Sequence, residues 1–244
     1  MYKLLVLILG FLLISCPAEV FAQKKVPILV YHSIAEFTGH GQKELYVTPE
    51  NFEKQIGYLR DHGFTLLTFE QWQNIDLVKK PIFLTFDDGY KNNLTALKVF
   101  QKLQTNQFKP AGTFFIITDF IGRTNRLSSN DLKTLSKSGL ISIQSHTATH
   151  PDLTKTEKLD SELRDSKRAL EKITDKEVIA ISYPFGNFNP RVVTETKNYY
   201  LFGLTTSPGP YIKQGIENEH YLLPRTYIKY STSLDDFAKI VNMD

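Results

Sequence analysis

An apolar run from Pro81 to Phe86 ends in two adjacent carboxylates and a glycine, Asp87-Asp88-Gly89-Tyr90. Two carboxylates side by side at the end of a buried strand repel each other, and a cation or hydrogen bonds must compensate. Successive side chains on a strand point opposite ways, so one carboxylate could hold a metal while the other faces a substrate. Asp-Asp-Gly is also ordinary turn chemistry, and alone it does not choose between a turn and a site. A second apolar run, Leu140–Ser145, leads into His146-Thr147-Ala148-Thr149-His150-Pro151. Two of the six histidines thus stand four apart, the spacing at which imidazoles on one helical turn converge on one ion. One carboxylate and two imidazoles, with a coordination position left for water, is the donor set of a catalytic zinc site. A third run, Val178–Ser182, ends in Tyr183-Pro184-Phe185-Gly186, where proline and glycine bend the chain and turn backbone N–H groups toward a site mouth.

These groups need a scaffold that brings several strand ends together. Apolar runs at Pro27–Tyr31, Pro81–Phe86, Ala111–Ile117, Leu140–Ser145 and Val178–Tyr183 read as strands covered on both faces, with further strands at Phe64–Thr68, Leu201–Thr205 and Tyr221–Ile228. Helical patterns lie between them. Thr48-Pro49-Glu50 opens one that runs to about Asp61, Ser129-Asn130-Asp131 opens one that stops at Gly139, Thr154–Ile173 forms an amphipathic one, and Asn189-Pro190 starts a shorter one. Seven or eight alternations over about 220 residues give an α/β fold, a (β/α) barrel or a doubly wound sheet, in a single domain.

The chain has 244 residues and a net charge of +3 with basic and acidic residues interspersed, which argues against nucleic acid as a partner. Lys3, the apolar run Leu4–Ile14 and the Val20-Phe21-Ala22 end describe a signal peptide over residues 1–22, with 23–244 as the catalytic domain. The run is shorter than the roughly 20 residues that span a bilayer. Leu13-Ile14-Ser15-Cys16 offers an alternative, a lipoprotein signal ending before Cys16, which would tether the chain to a membrane. Either leader implies export: secreted, periplasmic or attached to the cell surface.

In this order, Thr85–Tyr90, His146–His150 and Tyr183–Gly186 resemble the first three motifs of the polysaccharide deacetylases, carbohydrate esterase family four. The resemblance implies a distorted (β/α) barrel of about seven parallel strands and a divalent metal, zinc first, with cobalt or nickel able to replace it. It implies Asp87 as general base, Asp88, His146 and His150 as metal ligands, and the Phe185 N–H as an oxyanion donor. It also implies N-acetylated polysaccharide as substrate, with acetate released. Ser182 stands where many members carry an arginine that orients the base, and Leu222-Leu223-Pro224-Arg225 replaces the usual late motif. With Pro27–His32 at the first strand, these departures are similar to the subgroup acting on poly-N-acetylglucosamine. That similarity implies His32 as the acid, ahead of His220, and Arg225 beside Asp87. Tyr90, Tyr183 and Phe188 are candidate sugar-contacting residues, and Tyr211 is a further aromatic near the motif loops. A glycoside hydrolase built on Asp87 and Asp88 leaves the two histidines without a use. A catalytically weak or inactive sugar-binding member of the same fold is the remaining alternative.

Overall fold

The computed structural model describes residues 23–243; the expected leader and Cys16 lie outside the described residues. Numbering the strands of the main sheet in chain order, they are β1 (Ile28–Tyr31), β2 (Thr65–Leu67), β3 (Pro81–Phe86), β4 (Gly112–Ile116), β5 (Ile141–Ser145), β6 (Ala180–Ser182), β7 (Phe202–Leu204) and β8 (Thr226–Tyr227). All pairings are parallel, in the order β7–β6–β5–β4–β3–β1–β8. β2 sits beside the first half of β3, Thr65 opposite Pro81, and β4 beside its second half, Thr85 opposite Thr113. Pro81 lacks an N–H and heads the strand, a position where no ladder bond is lost.

The strands follow one another around the sheet, and β8 returns to the flank of β1. That order is a curled barrel rather than a doubly wound sheet with a switch point. Its edges meet through a narrow link: Leu223 bridges Leu204 of β7, and the Arg225 N–H donates to Ser207 O at 2.9 Å. This is the expected distorted barrel.

Among the described residues six α-helices surround it: α1 (Pro49–Asp61), α2 (Leu94–Leu103), α3 (Ser129–Lys137), α4 (Leu159–Thr174), α5 (Pro190–Thr196) and α6 (Leu234–Asn242). Two of the caps are those the sequence announces, and the third, Ser128, lies one residue before the expected Ser129 opening. Thr48 Oγ1 accepts from Asn51 N–H ahead of Pro49, Asn189 Oδ1 accepts from Val192 N–H ahead of Pro190, and Ser128 with Asp131 forms a capping box. Leu84 and Phe86 of β3 face outward into the helix layer, where Phe86 stacks on Tyr31 at 5.3 Å and meets Phe52 edge-on at 5.8 Å. Each such ring contributes roughly 2–3 kcal/mol on burial. Phe83 faces inward with Phe69, Phe115 and Phe202, closing the barrel floor.

Several expected strands are shorter than the sequence pattern, and two further elements depart from it for identifiable reasons. The helix expected from Thr154 begins at Leu159, because Asp152 Oδ1 accepts from both the Thr154 N–H and its hydroxyl and holds the preceding residues in turns. The strand expected over Tyr221–Ile228 forms a strand only at Thr226–Tyr227, with Leu223 making a single bridge to β7; Glu219–Tyr221 is a 3₁₀ turn, and Pro224 has no N–H for a ladder. The helices α2 and α6 were not singled out in the sequence. Among the described residues, no helix is long and apolar enough to cross a membrane.

Candidate active site

The inward side of β3 reads Phe83, Thr85, Asp87, and the Asp87 N–H extends the ladder by donating to Tyr31 O at 3.0 Å. Asp87 therefore enters the barrel mouth by strand alternation alone. Asp88 does not point the opposite way, as alternation would have it. It adopts φ +69°, followed by Gly89 at +64°, and this left-handed turn swings its carboxylate back over the mouth. His146 Nε2 consequently lies 3.8 Å from Asp87 Oδ2 and 3.6 Å from Asp88 Oδ1.

The two histidines meet by a similar device rather than on a helical turn. After β5 the chain passes through Thr147 at φ +69° and His150 at φ +65°, and the two Nε2 atoms lie 3.1 Å apart. His150 Nε2 is 3.8 Å from Asp88 Oδ1, and the donor atoms of Asp88, His146 and His150 all lie within 4.8 Å of one another. His146 Nδ1 is 2.8 Å from Ser182 O, a contact that fixes the proton on Nδ1 and leaves the Nε2 lone pair directed at Asp88 and His150. Burial first, then the neighbouring His146, pushes the His150 pKa below its ordinary range, which favours the neutral imidazole that a metal site needs. Two imidazole lone pairs converging beside a carboxylate fit a divalent cation, and the N₂O set suits zinc.

Thr147 is β-branched, and a left-handed backbone costs it about 1–3 kcal/mol. The loop is held in this shape by Glu162 of α4, whose carboxylate accepts from the Ala148 and Thr149 N–H groups and the Thr149 hydroxyl at 2.6–2.9 Å. His150 N–H donates to Thr147 Oγ1, and Thr147 N–H to Ser145 Oγ. Glu162 escaped the sequence reading. Its one signal was an acid placed among Leu159, Leu163 and Leu170 on the buried stripe of a helix.

Arg225 and Asp87 form a two-pronged ion pair, Nη1 to Oδ1 and Nη2 to Oδ2, each 2.8 Å. Every other donor of the fully buried guanidinium is also engaged, by Thr85 Oγ1, Ser182 Oγ and Thr205 O. Ser182 Oγ–H in turn donates to Asp87 Oδ2 at 3.0 Å. Burial alone would raise the Asp87 pKa; the charge of Arg225, helped by His146, overrides it and holds the carboxyl far below the usual range. Arg225 thus stands where the residue at 182 left a gap, reaching the same carboxylate from the opposite edge of the sheet.

His32 follows β1 at the mouth, half-buried, stacked parallel on Tyr227 at 5.6 Å. Burial lowers its pKa, while Asp87 and Asp88 pull it upward and Arg225 and His146 press it down, which places it in the field of the site. His220 lies elsewhere. It packs on Trp72 and Phe202 at the floor of the barrel, beside Tyr211, whose hydroxyl donates to Glu219. Phe185 sits at φ +61°, is 62% exposed as a residue, and meets His150 edge-on at 4.8 Å. Among the described residues its N–H meets no protein acceptor. Phe188 is 41% exposed, and Tyr90 is half-buried at the mouth. Tyr183 departs from its expected role: its ring is buried in the outer core and its hydroxyl donates to Tyr221 O, so it has no face to offer a sugar.

Comparison with known proteins bears on this arrangement. A family model described as polysaccharide deacetylase matches residues 74–202, just over half of the chain. YxkH of Bacillus subtilis, named for the same family, is 32% identical over 194 residues, covering 76% of this chain and 66% of that protein. A poly-β-1,6-N-acetyl-D-glucosamine N-deacetylase of Staphylococcus aureus is 28% identical over 170 residues, 60% of this chain and 56% of its own. The chain thus spans a little under two thirds and a little over half of these two relatives. The crystal structure of a polysaccharide deacetylase from Bacillus cereus superposes with a TM-score of 0.88 at 49% identity, over 90% of this chain and 69% of that one. His32 and Arg225 fall outside the matched span, whereas Asp87, Asp88, both histidine ligands and Phe185 fall within it. On that match the chain belongs to the polysaccharide deacetylase family.

Proposed function

We propose that this chain hydrolyses N-acetyl groups on N-acetylglucosamine units of an extracellular or cell-wall polysaccharide, releasing acetate and leaving free amines. The observation that carries the reading is the convergence of Asp88, His146 and His150 on one point with the ionised Asp87 alongside. Membership of the family and the substrate named for the Staphylococcus aureus relative support it. The expected leader supports action outside the cytoplasm.

Asp88, His146 and His150 would hold a divalent cation, zinc first, which when bound supplies Lewis acidity toward the acetamide carbonyl and acidifies water. Asp87, kept ionised by Arg225, accepts the proton of the attacking water. The Phe185 N–H donates to the oxyanion that forms at the carbonyl carbon. His32 protonates the departing sugar amine; its lowered pKa makes the imidazolium a stronger acid than an exposed histidine. Tyr90 and Phe188 flank the mouth and offer ring faces to the sugar.

The binding-only alternative drew its force from the serine at 182. The buried Arg225–Asp87 pair weighs against it, since it keeps a base ionised in a dry site. Acetate release from an N-acetylglucosamine oligomer, measured with and without added zinc, tests the proposal. Asp87→Asn should lose about 10²–10⁴-fold in rate. Acetate production unaffected by chelation, or retained in that variant, would refute it.

A further inference from the structure

We propose that a groove beside this centre, flanked by Arg123 and Arg126, binds an anionic substituent, carboxylate or phosphate, on a sugar unit neighbouring the one being deacetylated. The inference rests on the proposed function and adds a substrate class, an acidic polysaccharide.

The groove has a volume of about 660 Å³ and opens between the segment following β1 and the loop following β4, with Tyr46, Tyr90 and Phe120 among its walls. Tyr90 stands two residues after Asp88, so one wall of the groove is continuous with the candidate metal centre. The arginine loop is locked to that same turn. Lys91 N–H donates to Asn125 O and Leu127 N–H to Gly89 O, each at 2.9 Å, and Tyr90 and Arg126 pair as an antiparallel bridge. A ligand held by the arginines is therefore held in register with Asp88.

The guanidinium of Arg126 lies over the Tyr90 ring at 3.9 Å, and that of Arg123 over Phe120 at 4.4 Å. Stacking fixes the planes of both groups and leaves their terminal Nη donors open to a ligand. Among the described residues neither arginine has a carboxylate within 4.0 Å, whereas Lys91 on the same rim is paired with Asp131. Arg126 Nε is buried and meets no acceptor. With Nε closed off, the Nη donors are the ones a ligand can reach, and a planar anion that accepts two parallel N–H bonds matches them better than a lone hydroxyl. Glu36 lies on the facing wall and would turn away an anion seated there, which confines the charged group to the arginine side.

The test uses the whole protein and three oligosaccharides of equal length: a neutral N-acetylglucosamine oligomer, one with carboxylate ethers on alternate units, and one with phosphate monoesters. Binding is read by calorimetry and turnover by acetate release. One charged oligomer should bind about tenfold or more tighter than the neutral one, and which of the two does so identifies the anion. The charged-to-neutral ratio should collapse toward one in R123M/R126M, and also in about 0.5 M salt. Arg123 is exposed, so Arg123→Met alone should lower the ratio without disturbing the fold, which guards against misfolding of the double variant. Equal binding of all three oligomers, or a preference that survives in the double variant, would overturn the inference. Preferential binding with no acetate from any oligomer would instead count against the proposed function.

Discussion

Arg225 and Asp87, 138 residues apart in the chain, face each other at the barrel mouth through two parallel 2.8 Å hydrogen bonds. The pair joins the segment that closes the sheet to the carboxylate at its mouth. The segment that closes the barrel therefore also brings the counter-charge that keeps Asp87 ionised. A carboxylate buried this deeply would otherwise protonate, and the guanidinium, itself fully buried, needs the carboxylate to offset its own desolvation.

Breaking the pair should cost more than breaking a surface ion pair. Arg225→Met leaves Asp87 buried without a counter-charge, and an expected loss of roughly 3–5 kcal/mol should appear in denaturant unfolding. Arg225→Lys keeps the charge but not the fork. It should fold better than the methionine variant and still show a lowered rate. Equal stability of Arg225→Met and the parent would mean that the pair contributes nothing to the fold.

Glu162 touches no substrate, yet it shapes the loop that presents both histidines. Glu162→Gln keeps its volume and loses the charge-assisted bonds to the Ala148 and Thr149 N–H groups. Zinc affinity, followed by competition with a chromogenic chelator, should fall about 10–100-fold, as for other residues that support metal ligands. Saturating zinc should restore most of the rate. In the parent, zinc at 100 times its Kd should raise Tm by about 5–10 °C, since roughly 2.7 kcal/mol of binding is linked to folding.

Gly186 lies at φ +73°, and a Cβ there would overlap Thr206 Oγ1 and come within 2.7 Å of the Thr206 N. Gly186→Ala should therefore displace the Phe185 turn or strain it, costing about 1–3 kcal/mol in stability. If the Phe185 N–H serves the oxyanion, kcat should drop with KM little changed. A drop in KM affinity alone would assign the loop to binding.

Asp152 ties two site loops together, accepting from Thr154 on its own loop and from Asn187 Nδ2, just past the Phe185 turn. The Thr154 hydroxyl first, with Lys155, Asn187 and backbone help, holds its pKa down to about 2. A folded-state pKa depressed below the unfolded value near 3.9 contributes stability that is complete above about pH 4. That contribution fades as pH falls from there toward 2. Thermal melts across this window should be steeper in pH for the parent than for Asp152→Asn, and parallel curves would show that the carboxylate is not linked to folding.

The sequence by itself determined the strands, because each is a short apolar run closed by a turn signal, and it determined the chemistry-bearing residues at their ends. Asp87, Asp88, His146 and His150 stand directly after β3 and β5 in the local pattern. Helix starts at Thr48, Ser129 and Asn189 were equally local, since a cap is read within four residues, although the cap of the second is Ser128. The tertiary structure decided the convergence. Strand periodicity pointed Asp88 away from Asp87, and only left-handed backbone at Asp88, Thr147 and His150 brings the donors together, a conformation stabilised by partners such as Glu162 and Gly89. It also placed His32 at the site and His220 at the opposite end of the barrel, although both stand in short aromatic contexts. Tyr183 was misplaced for the same reason. Which way a side chain faces just past a strand end depends on the turn that follows, and that turn is set by contacts far away in the chain.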